Sequence, residues 1–250
     1  MEVQSLQGKV AFITGGGTGI GSGIALSFAE AGATVAVFGR RVEPLERVVK
    51  AIEAVGGRAV AISGDVTSLE DLEGAVSRIS SEFGRLDIAV ANAGGPPMQG
   101  PVLETSPEEW RRVIDLNLTG SWNTARATVP IILASGGGHL LFIVSSAGRE
   151  RSGELVGAYG ASKAGVSQLA RVLAMELDRQ IAVNTLSPGL VESEILGVFD
   201  GQVPEMLVDA AQEMGEWLKA PDEIGRLATY IVGLPPAGTT GQLFALDRNR

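Results

Sequence analysis

Tyr159 and Lys163 stand four residues apart in a stretch of helix-forming sequence, a spacing that puts both side chains on one helix face. A phenol has an ordinary pKa of about 10 and relays protons poorly at neutral pH, but an ammonium beside it favours the phenolate and lowers that value. The two can therefore act on one ligand, the lysine tuning the tyrosine for proton transfer to or from an oxygen. Ser146 closes the upstream run FIVSS, and its hydroxyl could hold that oxygen. The chain has no cysteine and one histidine, His139, which excludes thiolate catalysis, disulfides and the usual zinc ligand sets, so no metal is expected. His139 opens a strand after a run of glycines and reads as a solvated strand-edge residue without a role.

A second group of residues suits phosphate. Thr14-Gly15-Gly16-Gly17-Thr18-Gly19-Ile20-Gly21 joins an apolar run to a helical pattern. Glycines there permit positive φ, let backbone N–H groups approach a pyrophosphate and let the helix pack close to the sheet. The loop is the first β-to-α turn, where a dinucleotide fold puts its phosphates, so Gly15, Gly17, Thr18, Gly19, Ile20 and Gly21 are expected cofactor contacts. The second apolar run ends at Phe38-Gly39-Arg40-Arg41, about 20 residues beyond the loop, where an NAD-binding fold expects an acid for the ribose hydroxyls. Arg40 and Arg41 offer planar donor forks that suit the extra phosphate of NADP instead. NADP(H) is therefore the expected cofactor, with NAD(H) left open.

These groups need a scaffold that brings them together. Short β-branched runs, KVAFITG, TVAVFG, RAVAISG, LDIAVAN, HLLFIVS, IAVNTLS and QLFAL, suit strands buried on both faces of a parallel sheet. Between them lie helical candidates at 20–31, 43–55, 68–83, 107–135, 157–179 and 221–232. Thr67 with Glu70 and Ser106 with Glu109 fit capping boxes, and Pro107 suits a first helical turn. The alternation reads as an α/β protein: a single doubly wound Rossmann domain over 1–250, with a mostly parallel seven-stranded sheet and helices on both faces. Residues 190–219 break the rhythm and are the expected substrate lid. With 250 residues and 45% hydrophobic content the chain can bury a substantial core, while a formal net charge of −9 repels nucleic acid and anionic membrane surfaces. No apolar run approaches the ~18 residues of a membrane span, so a cytoplasmic protein is expected.

The glycine loop resembles the TGxxxGxG form of the short-chain dehydrogenase/reductase family, and from there the resemblance covers nearly the whole chain, with its general look closest to the 3-oxoacyl thioester reductase and ketone reductase branch. Ser146 precedes Tyr159 by thirteen residues, the family's serine-to-tyrosine spacing. Asn117, in LNLTG, resembles the asparagine that supports the family's water-linked proton path to the lysine. Asp65, followed by Val66, resembles its adenine-contacting acid. Asn92-Ala93-Gly94 resembles its NNAG signature with Ala91 in place of the first asparagine, and Pro188-Gly189 resembles its PG motif. Val191 and Ser193 fall where contacts to the nicotinamide amide and phosphate lie, serine replacing the commoner threonine, and RNR replaces the family's glycine-rich end.

The resemblance implies hydride transfer between nicotinamide and the carbonyl carbon of a ketone, or the reverse from a secondary alcohol, 3-oxoacyl thioesters included. Tyr159 passes the proton, Ser146 orients the substrate and Lys163 tunes the tyrosine. An NAD-linked sugar or polyol dehydrogenase and a non-catalytic dinucleotide sensor are the alternatives. Arg149, Glu150 and Arg151 read as a solvated loop at the cleft edge. The resemblance also implies a homotetramer, through the helices at 107–135 and 157–179, where the small residues Ala161, Ala164 and Gly165 allow close approach.

Overall fold

The computed structural model describes residues 5–95, 101–148, 157–177, 179–192, 204–205, 208–209, 212 and 217–246. Among the described residues seven strands form one sheet: β1 (Val10–Thr14), β2 (Thr34–Gly39), β3 (Arg58–Ser63), β4 (Ile88–Ala91), β5 (Gly138–Ile143), β6 (Ile181–Ser187) and β7 (Leu243–Ala245). Their order is β3-β2-β1-β4-β5-β6-β7, and every pairing is parallel. The helices among the described residues are α1 (Gly19–Glu30), α2 (Val42–Ala54), α3 (Leu69–Phe83), α4 (Pro107–Ile114), α5 (Gly120–Ala134), α6 (Gly157–Glu176) and α7 (Pro221–Gly233). Among the described residues no helix is long and apolar enough to cross a membrane.

Alternation along the strands explains the two layers. Ala11, Ile13, Val35, Val37, Ile88, Val90, Leu141 and Ile143 point to one face, where they pack with Ile24 and Phe28 of α1, Leu45 and Ile52 of α2, and Ile224 and Ile231 of α7. Their neighbours Phe12, Ala36, Phe38, Ala89, Leu140 and Phe142 point to the other, against Leu72 and Ile79 of α3, Ile132 of α5 and Val166 of α6. A period of two thus feeds both cores, which is why these strands read as unbroken apolar runs. On the first face α1 and α7 touch through backbone: a Cβ at Gly23 would lie 2.2 Å from Pro221 O.

Local signals were mostly sufficient, with three corrections. Ser106 caps α4 by accepting the Glu109 N–H, and Pro107 occupies its first turn. The cap of α3 is Ser68, which accepts the Asp71 N–H at 3.2 Å. Thr67 turns back towards the preceding loop instead, its hydroxyl and N–H both donating to Asp65 Oδ1 at 2.9 Å. The single helix expected over 107–135 is instead α4 and α5 joined by a π-helical turn, Asp115–Thr119. The third correction is His139, which is 7% exposed rather than solvated.

His139 belongs to a charged knot at the N-terminal ends of the strands. Asp87 accepts from the Val10 N–H at 3.0 Å, Lys9 Nζ at 3.2 Å and Arg85 Nε at 2.8 Å. Burial pushes the Asp87 carboxyl up, but the bonds from Arg85, Val10 and Lys9 together hold it below the usual carboxylate range. His139 Nδ1 is buried and has no hydrogen-bond partner among the described residues. Burial first, then the charge of Lys9, pushes its imidazole down to about 4 against the opposing pull of Asp87.

The proton is therefore taken up by the unfolded chain before the folded one, so this residue removes stability as pH falls from 6.5 towards 4. Asp87 acts in the same direction lower down, its stabilisation being lost as pH falls through its depressed folded value. We expect the wild type to lose about 2 to 3 kcal/mol more than His139→Leu between pH 7 and pH 4.5. Parallel losses in chemical denaturation of the two proteins would show that His139 takes up its proton as readily in the folded chain as in the unfolded one.

Candidate active site

At the C-terminal ends of the strands a cavity of about 610 Å³ runs from β3 across to β6. The sheet reverses its winding between β1 and β4, which opens a crevice there. Thr14, at the end of β1, is fully buried. Its Oγ1 donates to Val90 O at 3.2 Å and accepts the N–H groups of Asn92 and Ala93 at 3.1 and 3.2 Å. The Asn92 carboxamide returns across the seam to Thr14 O and Gly15 O, at 2.9 and 3.2 Å.

That brace fixes the loop after β1. Gly15 and Gly19 take positive φ, 65° and 52°. The first turn of α1 presses so close that a Cβ at Gly21 would lie 2.1 Å from Gly15 O and 2.6 Å from Asn92 Nδ2. The resulting groove is lined by Gly15, Gly17, Thr18, Gly19, Ile20 and Gly21 and faces the N-terminus of a twelve-residue helix. Unpaired N–H groups and the helix dipole suit a pyrophosphate there. At the β2 and β3 ends the lining is Gly39, Arg40, Arg41, Asp65 and Val66. Both arginines are exposed, and no carboxylate ends β2. The chain's own groups thus fit a dinucleotide: a backbone cradle in the middle and cations at one end.

The other end holds the polar side chains. Lys163 is 4% exposed and its Nζ donates to Ile143 O at 3.0 Å, 5.7 Å from the centre of the Tyr159 ring. Asn117, 1% exposed, sits in the π-helical turn; its Nδ2 donates to Val113 O at 3.0 Å and its Oδ1 accepts the Gly95 N–H at 3.3 Å. A Cβ at Gly94 would come within 2.7 Å of Asn117 Oδ1 and 3.5 Å of Lys163 Nζ, so the chain passes between these two groups only because that residue has no side chain. Pro188, Gly189 and Val191 close the cavity from β6.

The side chain that Tyr159 meets is Ser145 and not Ser146. Both serines lie just beyond Ile143, the last residue of β5, where the chain leaves the strand for a turn. Ser145 Oγ also accepts the Ala147 N–H at 3.2 Å, and Ser146 begins the 3₁₀ turn Ser146–Gly148 while still lining the cavity. Every other expected site residue that is described lines this one cavity; Ser193, Arg149, Glu150 and Arg151 lie outside the described residues. Gly95, Leu116, Leu190, Pro44 and Leu45 also line it and carry no motif by which sequence would single them out. Among the described residues no group of three or more His, Cys, Asp and Glu could hold a metal ion.

Burial moves both titratable groups towards neutrality. It pushes the Tyr159 phenol up, only partly offset by the hydrogen bond with Ser145, and pushes the Lys163 ammonium down to about 8. Spacing alone suggests an ammonium's pull on the phenol, but it is desolvation that sets the direction here.

A model of the short chain dehydrogenase family matches residues 9–202. The chain is 36% identical over 246 residues to oxidoreductase asL5 of Sarocladium schorii, covering 98% of this chain and 96% of the relative. It is 33% identical over 240 residues to cyclohexanol dehydrogenase of Acinetobacter sp. (strain SE19), covering 96% and 93%. A probable NADP-dependent mannitol dehydrogenase of Yarrowia lipolytica is 36% identical over 252 residues, covering 99% and 89%. Among solved structures, a dehydrogenase/reductase from Sinorhizobium meliloti 1021 superposes with a TM-score of 0.89 at 30% identity, covering 98% and 96%.

The chain has two tyrosines, so the difference between the ultraviolet titrations of wild type and Tyr159→Phe isolates one phenol. In the ligand-free protein that step should lie above the ordinary value of about 10. A step below it would mean that Lys163 outweighs burial after all.

Proposed function

The chain belongs to the short-chain dehydrogenase/reductase family, and on that premise we propose that it moves a hydride between NADP(H) and a ketone or secondary alcohol, with Tyr159 as the proton relay. Family membership makes it an oxidoreductase of alcohol and carbonyl groups that uses NAD(P). One observation carries the finer reading: Tyr159, Ser145 and Lys163 share a single cavity with a phosphate cradle and an arginine pair.

The bound nicotinamide supplies or accepts the hydride. Ser145, fixed by the Ala147 N–H and hydrogen-bonded with Tyr159, holds the substrate oxygen against the phenol. Tyr159 gives its proton to that oxygen in reduction and takes it back in oxidation. Lys163, pushed down to about 8 by burial, exchanges protons near neutral pH and favours the phenolate whenever it is charged. Asn117 holds the backbone around Gly95 and bridges α4 to the loop after β4, which keeps the lysine's surroundings polar. We assign Ser146 no part in the proton transfer. Ketones, 3-oxoacyl thioesters and polyols form the substrate panel to screen. We also propose a homotetramer through α4, α5 and α6, supported by Trp110 and Trp122, which stay 38% and 44% exposed in the single chain.

The serine assignment has a direct check. Ser145→Ala should lower kcat by about 10²- to 10³-fold, as loss of one preorganised donor does, while Ser146→Ala should stay within about threefold of wild type. The reverse pattern would return the role to Ser146.

Cofactor preference rests on Gly39, Arg40 and Arg41. A charge-assisted contact to the extra phosphate is worth about 1.5 to 3 kcal/mol, or roughly ten- to hundredfold in binding. Salt should reduce this, since both arginines are exposed. A Cβ at Gly39 would meet only Leu45 Cδ2, at 3.7 Å, so an aspartate fits there. We expect kcat/KM to favour NADPH by that factor in the wild type and NADH in the Gly39→Asp, Arg40→Ala protein. A wild-type ratio at or below one would assign the enzyme to NAD.

A further inference from the structure

Lys219 lies outside the cavity and in none of the motifs, yet it is fully buried, with 0% exposure. Enclosing an ammonium is costly unless its charge is met. Here Nζ donates to Trp217 O at 3.2 Å and stands 3.8 Å over the Trp217 ring, a close cation–π contact. The backbone on either side is equally engaged. Lys219 N–H donates to Leu190 O at 3.1 Å, and Glu192 N–H donates to Lys219 O at 2.9 Å, forming a parallel bridge between Val191 and Lys219.

This bracket is anchored on its far side. Ala220 N–H donates to Glu223 Oε2 at 2.8 Å at the start of α7, and Pro221 presses on Gly23 of α1. Leu190 and Val191 therefore hang from a rigid support rather than from β6 alone. They line the cavity at the end that holds Tyr159 and Lys163, while Arg40, Arg41 and Asp65 line the opposite end. A dinucleotide spanning the cavity must put its reactive half beside Leu190 and Val191.

We propose that Lys219 is a positioning residue: by clasping Trp217 and bridging to Leu190 and Glu192, it sets the backbone that grips the reactive half of the dinucleotide. This rests on the dinucleotide reading above. A displacement of about 1 Å in such a support costs up to a hundredfold in rate, and the adenosine half, bound at the other end, should not register it.

The test compares whole and half cofactors by titration calorimetry on wild type and Lys219→Met, which keeps the apolar stem. NADPH and NADH are the whole ligands; adenosine 2′,5′-bisphosphate and ADP are the halves. Lys219→Met should weaken the preferred dinucleotide by about tenfold and leave the matching half ligand within about twofold. Trp217→Leu, which removes the ring but leaves the backbone bridge, should move the same way by a smaller factor and serves if the lysine variant does not fold. Unchanged binding of the whole cofactor, or parallel losses for whole and half ligands, would overturn the positioning role. A wild type that binds neither dinucleotide would refute the cofactor reading beneath it.

Discussion

Thr14 and Asn92 occupy the seam where β1 meets β4, and the cavity takes its shape from the hydrogen bonds that cross there. The threonine hydroxyl uses its donor and both acceptor positions, and the asparagine amide spans to the strand end and the first glycine of the loop. Each such bond contributes about 1 kcal/mol net, but removing one partner strands the others in a dry seam at a greater cost. The consequence is geometric. With the loop pinned to β4, α1 must begin close against it, and only a residue without a side chain fits at Gly21. The phosphate cradle and the loop carrying Gly94 and Gly95 are thus two sides of one support.

The same burial that organises the site also sets its protonation. Tyr159 is held in its neutral form and Lys163 is brought down to about 8, within reach of neutral pH, so in the ligand-free pair the charge lies on the lysine. A positively charged ring brought into the cavity would change that balance, because its charge favours the phenolate. On the proposed mechanism, proton transfer would in this way be tied to occupancy of the site, with Ser145 as the partner of the phenol.

Much of this was legible in the sequence because parallel strands buried on both faces announce themselves as apolar runs, and because the glycine loop, Tyr159 and Lys163 act through local spacing. Where reading failed, the deciding contact was nonlocal or depended on direction. Thr67 looks like a cap until Asp65 claims its hydroxyl. His139 looks solvated until Lys9 and Asp87 are seen packed at the same end of the sheet. Ser145 and Ser146 are indistinguishable by residue type, and counting back from Tyr159 cannot say which meets the phenol. Lys219 has no motif at all; its importance comes from Trp217 and from a bridge to residues almost thirty positions earlier. The run GGPPMQGP extends from Gly94 and Gly95 into 96–100, and that part and most of 190–219 lie outside the described residues.

The π-helical turn at Asp115–Thr119 holds one residue more than an α-helix would over the same rise. A lineage that lost a residue there would regain regular helix, yet everything after it would rotate by about 100° about the helix axis. Gly120, whose missing side chain makes room for Val66, and Asn123, whose amide meets Val66 O at 2.9 Å, would swing away from the loop that borders the cavity. A one-residue deletion in this segment should therefore do more damage than a substitution on the outer faces of α4 and α5, because it would turn a whole wall of the cavity out of register.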